Sequence, residues 1–286
     1  MIDLHTHTTF SDGSQSPTEL VEEAAAKGLT AVAVTDHDTV DGLSEALAAG
    51  ERFGVDVIPG VEINCEHDRV TMDVLGYFLA GVPTDELRRE LAELRAYRDE
   101  RNARILERLS GLGLPLDPDE LAAAAENGAV GRPHIGEAMV RRGYVSSIGE
   151  AFDLYLRRGA PAWVDRRRLA LARGVKLLRA SGALPVLAHP GIIRTDAAGL
   201  ARIVREAARD GMAGIECYYP LHDEETVRRC LALAESCALV PTGGSDYHGT
   251  VKPQARLGIA SAGAPVPDHV LTDLRCLADD QLQRLA

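Results

Sequence analysis

Short apolar runs alternate with amphipathic helical segments through much of the chain. That alternation constrains the fold more than any other feature, because it is the pattern of a parallel sheet covered by helices. Residues 2–5, 29–35, 55–65 and 70–79 read as strands, with helices over 17–27 and 41–53 between them. The first helix opens on Pro17 and is followed by Gly28; the second is closed by Gly54. From residue 82 the texture changes. The run 84–109 is rich in Leu, Glu, Arg and Ala, with Thr84 as N-cap, and reads as a long helix with a solvated, charge-paired face. A breaker-rich linker, 111–118, leads to helices over 119–126, 133–141 and 147–155. No strand signal appears between Val82 and Gly159. Alternation then resumes with strands over 162–164, 184–188, 214–218 and 239–243, and helices over 168–181, 197–210, 223–235 and 268–285. The expected fold is α/β: a sheet of about seven strand units, open or closed into a barrel, interrupted by an all-helical insertion. The expected division is a first barrel part over 1–81, a helical insertion over 82–160 acting as a substrate cap, and a second barrel part over 161–286.

In parallel α/β folds the functional groups gather at the C-terminal ends of the strands. His5 and His7 follow the first strand and share one side of an extended segment, with Asp12 just beyond. Asp36-His37-Asp38 follow the second strand, Gly60-Val61-Glu62 lie on the third, and Asp73 falls in the fourth. His189-Pro190 ends the strand over 184–188, and Gly244-Ser245-Asp246-Tyr247-His248 follows the last. Five of the nine histidines occupy such strand ends. Imidazole and carboxylate together are the ligand set of zinc, manganese and iron, and the absence of thiolates argues against a closed structural zinc site. The five cysteines show no C-x-x-C spacing and read as reduced thiols.

The formal charge is −12, with 31 basic residues against 43 acidic ones. A body this acidic is not expected to grip duplex nucleic acid over a broad face. No apolar run approaches the roughly 20 residues of a membrane span. The N-terminus has no basic or apolar leader segment, so a cytoplasmic protein without membrane partners is expected.

The motifs D-L-H-T-H-T, S-D-G, T-D-H-D, P-G-V-E, A-H-P and G-S-D-Y-H stand in that order. Together they resemble the PHP (polymerase and histidinol phosphatase) family. Within it they resemble the stand-alone phosphoesterases that act on nucleoside 3′,5′-bisphosphates and short RNA 5′ ends. The resemblance implies a distorted (β/α)7 barrel with a multinuclear metal site at its mouth. It implies His5, His7, Glu62 and Asp246 at a first metal; Glu62, Asp73 and His189 at a second; and Asp12, His37 and His248 at a third. Two or three divalent ions are expected, manganese first, with iron, zinc or magnesium as the other fits. The expected nucleophile is a metal-bound water, so the reaction expected is phosphomonoester or 5′-3′ exonucleolytic hydrolysis of small nucleotides. Asp73 stands where this subgroup usually has histidine, and Ala160 where it tends to have lysine.

The carboxylates of Asp12, Glu62, Asp73 and Asp246 would repel a phosphate without metal, and three divalent cations would reverse that sign, so activity should depend wholly on metal. Asp3, Asp36 and Asp38 flank the ligands and are expected to receive imidazole N–H groups. Substrate contacts are expected from Arg132 and His134, at the start of a helix, from Arg158 in a basic cluster, and from His222 after a strand. The competing readings are a phosphatase for another metabolite, such as histidinol phosphate, or a non-catalytic module of the same family.

Overall fold

The computed structural model describes residues 1–124 and 130–285. Its strands are β1 (Ile2–Thr6), β2 (Ala31–Val34), β3 (Asp56–His67), β4 (Val70–Tyr77), β5 (Leu169–Ala170), β6 (Leu184–Leu187), β7 (Gly214–Tyr218) and β8 (Val240–Gly243). The helices are α1 (Pro17–Ala26), α2 (Leu43–Phe53), α3 (Asp85–Gly111), α4 (Pro118–Ala124), α5 (Arg132–Arg141), α6 (Ile148–Ala151), α7 (Leu171–Ala180), α8 (Ala197–Asp210), α9 (Glu224–Cys237) and α10 (His269–Leu285). Ala125 and Glu126, the expected end of the helix over 119–126, lie outside the described residues. No described helix is long and apolar enough to cross a membrane.

The sheet runs β1-β2-β3-β4-β6-β7-β8, with the two-residue β5 beside the outer end of β3. The ring nearly closes: His7 N–H donates to Tyr247 O at 2.9 Å, joining the end of β1 to the segment after β8. This is the distorted barrel of seven strands expected above. The sheet is not wholly parallel. Strand β4 runs antiparallel to both β3 and β6, because Asp68 and Arg69 make a tight turn between β3 and β4 in place of a helical crossover.

Alternating burial explains the layers. Ala31 and Ala33 face an inner cluster with Leu4, Ile58, Leu75 and Val186, while Val32 and Val34 face an outer cluster that α1, α2, α7 and α8 cover. Helix α10 closes the inner cluster with Val270 and Leu274 at the N-terminal end of β1, where Ile2 bridges Val266. The helices between β4 and β5 bury an apolar cluster of their own, containing Ile105, Leu109, Ile135, Met139 and Leu156.

Two expectations need correction. Residues 162–164 form no strand: Val164 O accepts from Arg101 Nε at 2.9 Å and Trp163 O from Arg108, so α3 side chains occupy carbonyls that a ladder would use. The helix expected over 168–181 begins later, at Leu171, because Leu169 and Ala170 pair with β3. The long helix α3 is also not solvated on every side. Arg98, Arg101 and Asn102 are buried along with Leu91, Leu94 and Ile105. The five cysteines are free.

Candidate metal centre

Each strand end delivers its side chain for a local reason. Strand β1 carries one extra residue against β2 between Asp3 and Thr6, a bulge that takes in His5 and re-aims the strand there. Strand β3 pairs in parallel with β2 over Asp56–Pro59, and a parallel bridge between Glu62 and His37 just beyond it sets these two side chains next to each other. Gly60 is required there, since a Cβ would lie 2.8 Å from the Thr35 side chain and 3.0 Å from Val34 O. Gly244 is required more strictly, because a Cβ would lie 2.3 Å from His5 Cβ. Asp38, His189 and Asp246 hold positive φ values of 54°, 29° and 52°, which non-glycine residues adopt uncommonly.

These elements bring nine expected ligands to one mouth, eight of them into compact contact. Glu62 is the hub. Its Oε2 lies 3.0 Å from His37 Nδ1, 3.3 Å from His7 Nε2 and 3.4 Å from His5 Nε2. Its Oε1 lies 3.2 Å from His189 Nε2. Asp246 Oδ1 faces His7 Nε2 at 3.4 Å and His5 Nε2 at 3.7 Å. Asp12 Oδ1 lies 3.3 Å from His248 Nε2, and its Oδ2 lies 3.8 Å from His37 Nε2. Three sets of donor atoms are compact enough to hold one ion each: His7, Asp12, His37 and His248; His5, Glu62 and His189; and His5, His7 and Asp246. Asp73 is the ninth, and it stands apart. It lies 3.9 Å from His189 Nε2, and its Oδ1 accepts from Asn64 Nδ2 at 2.6 Å.

The donors fit cations on a direct observation: His5 Nε2, His7 Nε2, His37 Nδ1 and Asp12 Oδ1 are buried without a hydrogen-bond partner. Buried polar atoms are rarely left so. The electrostatics agree. Burial works to raise Glu62 and Asp246, yet the surrounding imidazoles hold both carboxylates well below their usual range. Burial works to lower His7 and His189, yet the Asp246 and Glu62 carboxylates beside it push His7 up to about 10, and Glu62 pushes His189 up to about 9. Without cations, then, protons take the place of positive charge.

The expected supporting carboxylates act differently from expectation. None of Asp3, Asp36 or Asp38 hydrogen-bonds an imidazole ring. Asp3 accepts from the backbone N–H of Ser245 and Gly258 at 2.9 and 2.8 Å, tying the loop after β8 to β1. Asp36 accepts from Thr8 N–H at 2.7 Å and Ser11 Oγ at 2.6 Å, fixing the loop that carries Asp12. Asp38 Oδ2 accepts from Arg98 and from Arg166, the latter at 2.5 Å. The ring partner is a residue the sequence reading missed. Fully buried Glu216, on β7, lies 3.0 Å from His5 Nδ1 and also accepts His189 N–H at 2.7 Å. Its signal was a lone carboxylate inside the apolar strand 214–218. Tyr219 and Lys252 were missed too: Tyr219 Oη donates to Asp246 Oδ2 at 2.9 Å, and Lys252 Nζ contacts the same oxygen.

The four expected substrate contacts separate. Arg132 lines a basin of about 230 Å³ that opens beside Asp12 and His37 and is walled by Arg98, Arg101, Arg166 and Arg168. Its guanidinium lies 4.9 Å from the Trp163 ring centroid and 5.4 Å from that of Phe152. Burial pushes Arg101 down to about 9, helped by Arg132, Arg166 and Arg168 nearby. His134 does not line this basin: its Nδ1 accepts from Gly131 N–H at 3.0 Å, and the residue borders a second cavity that meets the basin at Asp12 and is walled by Glu19, Glu22 and Glu23. Arg158 is exposed in a groove beyond the basin. His222 has no free ring nitrogen, since Nδ1 is bonded to Cys217 O at 2.9 Å and Nε2 accepts Gly191 N–H at 3.0 Å. It is a strut between two loops, not a proton donor facing the mouth.

Known proteins resemble this chain along most of its length. A family profile described as PHP domain matches residues 3–130. A 5′-3′ exoribonuclease of Haemophilus influenzae is 31% identical over 253 residues, covering 86% of this chain and 89% of that one. A 3′,5′-nucleoside bisphosphate phosphatase of Chromobacterium violaceum is 30% identical over 256 residues, covering 86% and 87%. A solved structure from Bifidobacterium adolescentis, described as that of a putative metal-dependent phosphoesterase, superimposes with a TM-score of 0.84 at 29% identity, over 96% of this chain and 95% of that one.

Proposed function

The chain belongs to the PHP domain family of metal-dependent phosphoesterases, and on that premise we propose that it hydrolyses the 3′-phosphoryl group of small nucleotides that carry a second phosphate at the 5′ position. A nucleoside 3′,5′-bisphosphate and the 5′-phosphorylated end of a short RNA share that arrangement. The observation that carries the reading is the arginine basin opening directly beside the His–carboxylate cluster. Two anion-binding features at one mouth suit a substrate with two phosphates.

His5, His7, Glu62 and Asp246 would hold one cation; Glu62 and His189, with Asp73 at longer range, a second; Asp12, His37 and His248 a third. Manganese fits this mixed imidazole and carboxylate set, and iron, zinc or magnesium are the alternatives. Such ions supply charge neutralisation at the phosphoryl oxygens and activation of water as nucleophile. The chain's own groups do the rest. Glu216 fixes the orientation of the His5 ring. Tyr219 occupies Asp246 Oδ2, which turns Oδ1 toward His5 and His7. Arg132, between two aromatic rings, offers its N–H groups to the second phosphate, and Arg98 and Arg166 are held in place by Asp38. The segment 82–160 supplies Arg98, Arg101 and Arg132 to the basin and so caps the barrel mouth.

The test is phosphate release by manganese-loaded protein from a nucleoside 3′,5′-bisphosphate, with a nucleoside 3′-monophosphate as comparison. The bisphosphate should be strongly preferred, and His37→Ala or Glu62→Ala should remove most of the turnover. Equal rates on the two substrates, or unchanged turnover in both variants, would overturn the proposal.

A further inference from the structure

The arginine lining does not stop where a second phosphate would fill the basin. A groove of about 540 Å³ continues from it, and Arg132, Arg168 and Thr71 belong to both. The groove adds Arg69, Arg157, Arg158 and Arg194, with Asp165 as its one carboxylate. It shares no residue with the His–carboxylate cluster, whereas the basin is bordered by Asp12 and His37. The order from the mouth is therefore cluster, basin, groove. The two linings hold nine arginines in a chain of net charge −12. Two are unneutralised: Arg69 and Arg194 are exposed and form no ion pair or side-chain hydrogen bond among the described residues, while exposed Arg158 shares Asp165 with Arg168. Among the described residues Arg132 donates only to the Leu156 carbonyl, at 3.2 Å. Like charges held together at this density lower their mutual repulsion when anions bind between them.

The direction of the groove decides what it takes. An RNA whose 5′-phosphate sits in the basin and whose next phosphate sits at the cluster would leave past the cluster, away from the groove. A group attached to the 5′-phosphate itself would extend into it. We propose that the groove is a third anion subsite, taking the further phosphates of a nucleoside 5′-di- or triphosphate whose 3′-phosphate lies at the cluster. The volume is within the usual range for small-ligand sites. The inference rests on the reading above that the basin holds the 5′-phosphate.

The test is calorimetric binding of adenosine 5′-mono-, di- and triphosphate to the metal-loaded protein, beside the Arg69→Glu/Arg194→Glu double variant. The affinity should rise roughly tenfold or more from mono- to triphosphate at low salt, with the gain shrinking as salt is added. The double variant should lose that gain while binding the monophosphate within about twofold of wild type. Equal affinities for the three nucleotides, or a gain that survives the double substitution, would overturn the proposal. So would a gain confined to 5′-monophosphorylated oligonucleotides, which would make the groove a nucleic-acid track. Phosphate release from adenosine 3′,5′-bisphosphate by the same preparations separates the two claims. If it fails while the triphosphate gain holds, the substrate assignment falls and the groove stands.

Discussion

Glu216 receives the His5 ring at a buried Nδ1···Oε1 contact of 3.0 Å, and it is the carboxylate that the strand-end aspartates were expected to be. Because the contact fixes which nitrogen of His5 faces Glu62 and Asp246, it controls the donor set at one remove. Glu216→Gln keeps the volume and removes the charge. It should weaken metal affinity by about 10- to 100-fold, the usual effect of losing such a partner. Metal content after dialysis, with turnover restored by excess manganese, checks this. Full occupancy at wild-type affinity would show that Glu216 only fills space.

His222 gives an opposite expectation from the one its position after a strand suggested. Both ring nitrogens are satisfied by backbone groups, so His222→Ala leaves the Gly191 N–H and the Cys217 carbonyl without partners. Cys217 is buried, and an unsatisfied buried carbonyl costs about 1–3 kcal/mol, whereas Gly191 is exposed and its N–H can turn to water. Thermal unfolding should shift down by several degrees while kcat at saturating metal stays within about threefold. A collapse of kcat in a variant of unchanged stability would restore the proton-donor role.

Asp38 joins the two halves of the mouth. Its neighbour His37 faces Glu62, while its own carboxylate holds Arg98 and Arg166, which keep it ionised against the effect of burial. Asp38→Asn should release both guanidinium groups from their fixed positions. The KM for a nucleoside 3′,5′-bisphosphate should rise by about tenfold with a smaller fall in kcat, and metal content should not change. An equal loss on the 3′-monophosphate would place Asp38 with the cation cluster instead.

The cluster was legible because its chemistry is carried by short motifs at strand ends. His5, His7, His37, His189, Asp246 and His248 lie at or just past strand ends, where the C-terminal rule puts them, while Glu62 lies mid-strand on β3, beyond its parallel pairing with β2. The rule fails for Asp73, because β4 is antiparallel and brings that residue in from the middle of a hairpin, against Asn64. The basin was half legible. Leu87, Leu91, Leu94, Arg98, Arg101, Ile105 and Leu109 follow one another at spacings of three and four, so two arginines sit on the buried stripe of α3. Read for composition, that helix looks solvated; read for period, its arginines face inward. The division of labour among Asp3, Asp36, Asp38 and Glu216 depends on which loop each strand end touches, and spacing along the chain does not encode it.

The protonation state of the cluster gives the last prediction. In the metal-free protein burial works to lower His7 and His189, but Asp246 and Glu62 raise them to about 10 and about 9, above the ordinary 6.5. Groups with raised folded-state values stabilise the fold fully below pH 6.5 and lose that contribution as pH climbs through 9 to 10. The carboxylates run the other way: Asp12, Glu62 and Asp246 are depressed, so their contribution is present above their ordinary values near 4 and is lost on acidification below them. The metal-free protein should therefore be most stable between about pH 5 and 7 and lose stability toward pH 10. Cations need the imidazoles neutral, so loading at pH 7 must expel protons. Manganese titrations in two buffers of different ionisation enthalpy should show net proton release, and the metal-loaded protein should keep its unfolding temperature toward pH 9. A metal-binding enthalpy independent of the buffer would mean that the histidines are already neutral, and the charge balance drawn for Glu62 and Asp246 would be wrong.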